Sequence, residues 1–169
     1  MKREFRYGLI TGTAMSLWVL AEFALGFHTT SPAIGVYSGY FSILVPAVII
    51  FSALREQQQF RGGILTFREG ITVGFTVSLI AAALFTLFMV FYNTSINPGW
   101  IDAMVEWQRR ELILNGATDD QIGQFTEQHR RMNNTMGQAV MGFIGTTGLG
   151  VFLTLAELLF LRLFQQRSR

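Results

Sequence analysis

The sequence predicts an all-α polytopic membrane protein: four transmembrane helices forming two parallel-repeat helical hairpins, with an extracytoplasmic helical hairpin between the third and fourth spans. Three observations predict it. Half of the 169 residues are hydrophobic, 16 of them Phe. Charge is nearly absent from four segments of about 20 residues, the length that crosses a hydrocarbon core of about 30 Å. Lys and Arg collect between those segments, mostly on one side.

The first span covers residues 7–27 and is interrupted by Glu22. Because Lys2, Arg3 and Arg6 precede it, a signal peptide is the alternative; the apolar stretch is longer than a usual signal core and no small-x-small cleavage site follows, so the span is read as retained. The second span, residues 34–54, contains Pro46, which removes a backbone bond to Ser42 and kinks the helix. The third, residues 70–92, has no charge, and Thr66-Phe67-Arg68-Glu69 has the spacing of a capping box at its start. The fourth, residues 137–161, carries Glu157 near its end. All four belong to one membrane domain, residues 1–169.

Residues 93–136 are too many for a simple connection and read as two helices. Asn97-Pro98 fits an N-cap followed by proline at the first helical position, and Trp100, Met104 and Trp107 recur at helical spacing. Asn115-Gly116 supplies a stop, and Thr118-Asp119-Asp120-Gln121 a second capping box. Ile122, Phe125, His129, Met132 and Met136 then continue at spacings of three and four. The two apolar stripes pack on each other or lie on the membrane surface; the sharper alternative is a groove for a partner, lined by Trp100, Met104, Trp107, Phe125 and His129.

Nine of the 13 basic residues fall on one side: Lys2, Arg3, Arg6, Arg55, Arg61, Arg68, Arg162, Arg167 and Arg169. Only Arg109, Arg110, Arg130 and Arg131 lie opposite. The positive-inside rule places both termini and the 55–69 loop in the cytoplasm. Tyr7, Tyr37, Tyr40, Tyr92 and Trp100 fall at interface depths, whereas Trp18 is deeper and reads as packing.

A partial duplication links the two halves. Residues 5–17 and 67–79 agree at six of thirteen positions: Phe, Arg, two Gly, Ser and Leu. Gly8, Gly12 and Ser16, and likewise Gly70, Gly74 and Ser78, recur every fourth residue, where small side chains let helix backbones approach. They are expected to form one central seam. Both following spans end in Leu-Arg, at Leu54 and Leu161, so the two hairpins would be related by an axis along the membrane normal. The plainer explanation is chance similarity between glycine-rich apolar helices.

Chemistry is sparse. Without cysteine there is no disulfide, thiolate nucleophile or Cys-based metal site. His28 and His129 lack metal-ligand spacing, and no HExxH, GxSxG or phosphate-binding glycine loop occurs. A net charge of +2 distributed as membrane-orienting charge gives no footprint for nucleic acid. No metal or cofactor is expected, and no enzymatic activity. Glu22 and Glu157 are the charged groups well inside the spans, each costing on the order of 3 kcal/mol if unpaired near a helix centre. Their depths differ too much for a carboxylate pair. For Glu157 the plain reading is contact with cytoplasmic water or an arginine; for Glu22 the candidate partners are His28, Tyr40 and the outer arginines.

The Gly8-to-Gly12 start, the Thr66-Phe67-Arg68-Glu69-Gly70 segment and the Asn97-Pro98 turn resemble the bacterial membrane proteins grouped as domain of unknown function 4199. That resemblance covers most of the chain and implies a bacterial cytoplasmic (inner) membrane. It transfers no catalytic residues. The expected function is a non-enzymatic membrane component that binds lipid on all sides and a protein partner through its extracytoplasmic hairpin, with homo-oligomers through the small-residue faces as a further outcome. A small oligomeric transporter or channel using Glu22 is the alternative, and a membrane enzyme ranks third.

Overall fold

The computed structural model describes residues 2–132 and 135–167, and every regular element among them is helical. The order is α1 (Lys2–Ala24), α2 (Pro32–Phe41), α3 (Leu44–Phe60), α4 (Phe67–Phe91), a π-helical turn (Tyr92–Ile96), α5 (Trp100–Leu114), α6 (Asp119–Met132) and α7 (Thr135–Arg167). Three stretches are long and apolar enough to cross a membrane: Ala33–Phe60, Phe67–Ile96 and Met136–Leu163. This is a membrane protein. The expected count of four is corrected to three on this measure, because Thr11, Thr13, Ser16, Glu22 and the glycines dilute the apolar content of α1.

Helix boundaries follow local chemistry. Thr66 caps α4 as a capping box: its hydroxyl accepts from the Glu69 amide at 3.3 Å while the Glu69 carboxylate accepts from the Thr66 amide at 3.2 Å. Glu69 also pairs with Arg61 at 2.9 Å, tying the 61–66 turn to the helix it precedes. Thr118 and Gln121 make the same reciprocal pair before α6. The second apolar stretch is broken at Ser42–Ile43, one turn before Pro46, where the proline ring would clash with a continuous helix. The Asn97-Pro98 expectation fails: α5 begins at Trp100, with Gly99 at its N-cap and no side-chain cap.

α4 is the central rod, packing along α1 on one face and α7 on another, with α3 alongside all three. The buried core lies at the end where α4 begins. There Ile50, Ala53 and Leu54 of α3 meet Val73 and Val77 of α4, Leu158 and Leu161 of α7, and Leu65 of the connection. Beside that core α1 is held to α3 by Glu56, which accepts from the Tyr7 hydroxyl at 2.6 Å and from Arg6 at 2.8 Å. Leu17, Val48, Leu87 and Phe152 project outward, as lipid-facing positions must.

The repeated glycines do not share one seam. A Cβ at Gly8 would stand 2.6 Å from the Ile80 Cβ and one at Gly12 would stand 3.0 Å from the Ala81 carbonyl, so this face of α1 lies on α4. A Cβ at Gly70 or Gly74 would instead strike Leu158 or Thr154, and one at Gly150 would strike Ser78, so that face of α4 lies on α7. Two successive seams replace the expected central one, because α4 has a neighbour on each side.

Candidate functional site

A run of buried polar groups forms where α1 ends and α5 begins. Gly26 makes it geometrically available. Its φ of +77° is open to glycine at little cost, and it closes α1 with paired bonds from Gly26 N to Phe23 O (3.0 Å) and from Phe27 N to Glu22 O (2.9 Å). The chain therefore doubles back. His28 returns beside the last turn of α1, and its Nε2 lies 3.2 Å from Glu22 Oε2.

From there the network runs into the π-helical turn. His28 Nδ1 lies 2.6 Å from the Tyr92 hydroxyl, which also accepts from Asn97 Nδ2 at 3.1 Å. At the other end, Trp18 Nε1 donates to Glu22 Oε1 at 2.8 Å. Each oxygen of the carboxylate thus has a partner. With the imidazole neutral, the donors in the row find acceptors: Tyr92 O–H donates to Nδ1, and Nε2–H donates to the Glu22 carboxylate.

Apolar walls keep this row dry. Tyr92 is fully buried, and Glu22 and His28 are nearly so. The Phe23 ring meets Tyr92 edge-on with centroids 5.9 Å apart, and the Trp100 ring covers His28 with centroids 4.0 Å apart. Burial pushes the His28 imidazole below its ordinary value, and the opposing pull of the Glu22 carboxylate does not cancel that. In such surroundings an unpaired polar group costs more than in water, so the row resists opening.

Of the residues singled out in the sequence, Glu22 meets His28, while Tyr40 lies exposed on α2. Tyr92, expected at an interface depth, and Asn97, expected as a helix cap, complete the network, and the cap is the expectation that the structure overturns. Glu157 is far away, level with the start of α4 because its neighbour Leu158 packs against the Gly70 position. The separation is about the rise from Gly70 to Tyr92, roughly 33 Å. Its Oε2 is buried without a hydrogen-bond partner. Pro46 is buried beside a void of about 10 Å³ lined by Thr11, Met15, Ile50 and Ser78, room for one water at most. Met104, Trp107, Phe125 and His129 are half-buried along α5 and α6, and the Phe125 and His129 rings lie 4.2 Å apart.

No curated protein and no solved structure matches the chain. A family model does, over residues 6–162, the stretch that holds all but the last residue of the three apolar helices and every member of the Glu22–His28–Tyr92 row. The chain therefore belongs to the family described as Protein of unknown function (DUF4199).

Proposed function

We propose that this protein is a non-enzymatic membrane component that holds another protein through α5 and α6 on the extracytoplasmic side. The observation that carries this reading is Trp100. As the first residue of α5 it covers His28, so the helix outside the bundle is fixed to the bundle by the buried row rather than hanging from a loop. A rigidly mounted surface binds with less ordering cost than a mobile one. Glu22, His28 and Tyr92 are positioning residues in this scheme.

The same reading takes α1 as a fourth span. Its Gly8 and Gly12 lie against α4 and its far end reaches the Tyr92 level, so it runs the length of an apolar rod. With the basic residues counted by side, both termini and the 61–66 turn face the cytoplasm of a bacterial inner membrane. The parallel repeat draws support from Leu54 and Leu161, matching positions that meet in one core. The transport alternative has less support, since both oxygens of Glu22 are engaged and the void among α1, α3, α4 and α7 is water-sized.

Photo-crosslinkers placed at Gln124 or Gln128 of α6, in the full chain in its own membrane, test the proposal. A discrete protein adduct is expected there, absent when the crosslinker replaces the lipid-facing Leu87 and reduced by Trp100→Ala. Lack of any adduct along α5 and α6 would overturn it.

A further inference from the structure

α4 and α7 are not equally close along their length. Near the start of α4 they are in tight contact, with Gly74 against Thr154 and Ser78 against Gly150. Towards the other end they part. A Cβ at Gly142 would meet nothing within 4 Å, and a pocket of about 270 Å³ opens between the helices. Phe85, Met89 and Val90 form one wall, Ala139 and Gly142 the other, and Trp100 and Ile101 of α5 roof it. The roof includes the indole that covers His28.

Two polar atoms in this lining are unused. Thr11, Ser16, Ser52, Ser78 and Thr154 each donate to the carbonyl four residues back, the usual way a helical hydroxyl is satisfied in apolar surroundings. Thr86 does not, and its Oγ1 is buried without a partner. Asn93 donates from Nδ2 to Gln138 at 3.4 Å, but its Oδ1 is likewise buried and unpartnered. Thr86 can supply an O–H, whereas the Asn93 oxygen can only accept. Among the described residues, no charged side chain lines the pocket. A ligand that satisfies both atoms is therefore neutral, carries a hydroxyl and a carbonyl, and is otherwise hydrocarbon.

Spacing narrows the class. Thr86 on α4 and Asn93 in the π-helical turn that follows lie about two turns apart, about 10 Å along the axis. A hydroxyl and an ester carbonyl at the ends of a glycerol unit span that distance once a hydrogen bond of about 2.8 Å is added at each end. We propose that the pocket between α4 and α7 binds a neutral glycerolipid, with its hydroxyl on Asn93, its ester carbonyl on Thr86 and its acyl chain between the parted helices. With α4 and α7 read as spans, the pocket lies between two apolar rods towards one end of each, where a glycerolipid of that leaflet would enter from the membrane itself. The parting of the helices and the two orphaned atoms then have a single cause.

The test is native mass spectrometry of the full chain in detergent, titrated with 1-monooleoylglycerol and separately with methyl oleate, which keeps the ester and chain but has no hydroxyl. A saturable adduct of one monooleoylglycerol per chain is expected, with methyl oleate weaker by roughly fivefold, the worth of one neutral hydrogen bond. Asn93→Leu should erase that preference. Gly142→Leu and Ala139→Phe fill the space and should each weaken binding at least tenfold, while Gly145→Leu, a position in open space outside the lining, should not. Helical circular dichroism confirms that each variant is folded. Absence of a saturable adduct, equal binding of the two probes, or undiminished binding by both filled variants would each overturn the proposal.

Discussion

His28 and Tyr92 stand 64 positions apart in sequence, and their side chains share a 2.6 Å hydrogen bond sealed from solvent. That bond closes the α1–α2 turn onto the far end of α4. It makes the Tyr92 hydroxyl the hinge pin of the row, since Asn97 depends on the same oxygen.

Tyr92→Phe should therefore lower stability by about 1–3 kcal/mol, the cost of leaving a buried polar group unpaired. Ring packing on Phe23 and Phe88 is kept in this variant. Thermal unfolding in detergent measures the change, and a transition equal to the parent's would show that the hydroxyl contributes nothing.

Acid should weaken the fold through His28. The groups facing its imidazole are Glu22 from α1, Tyr92 from the π-helical turn and Trp100 from α5. Because burial lowers the folded-state value below 6.5, the unfolded chain takes up a proton near that pH before the folded one does. The contribution is whole above about 6.5 and is lost as pH falls through the lowered value. His28→Gln should flatten this part of the profile between pH 7.5 and 5. Parallel slopes for the parent and the variant would rule it out.

The seams predict an asymmetry among glycines. Gly74→Ala puts a methyl group into the Thr154 side chain and should cost about 1–3 kcal/mol, as overpacking does. Gly148→Ala enters open space and should stay within about 0.5 kcal/mol of the parent. Comparing the unfolding midpoints of the two variants checks this directly.

Topology gives a fourth prediction. Reporter tags inserted after Arg61 and after Ala117 should report from opposite compartments, and tags at the two termini should agree with the one after Arg61. A terminal N-tag on the Ala117 side would remove α1 from the spans while leaving the other three in place.

Elements set by local chemistry were legible in the sequence. The Thr66 and Thr118 capping boxes, the Asn115-Gly116 stop and the interruption near Pro46 each need only neighbouring residues, and the structure contains all of them. Glu22 was recognisable because a carboxylate in an apolar run demands a partner, and His28, six residues on, was within reach. Tyr92 and Asn97 escaped for a different reason. Their roles depend on a π-helical turn, whose sequence Tyr-Asn-Thr-Ser-Ile reads equally well as a polar loop after a span. The cap expected of Asn97 failed because α5 begins at Trp100, after Gly99, too far along the chain for Asn97 to be its N-cap. The seams were misjudged on similar grounds: small residues mark a close approach but do not say which neighbour makes it.

The break between α2 and α3 bears on how the molecule meets bilayers of different thickness. Drawn as one straight helix, the 28 residues of Ala33–Phe60 would measure about 42 Å, against a hydrocarbon layer of about 30 Å. A rigid rod of that length must lean as a unit or deform the surrounding lipid. Here α3 is anchored in the core while α2 packs only lightly on the rest. With α2 held so lightly, a thinner membrane is expected to tilt that one short segment before it disturbs the packed layer.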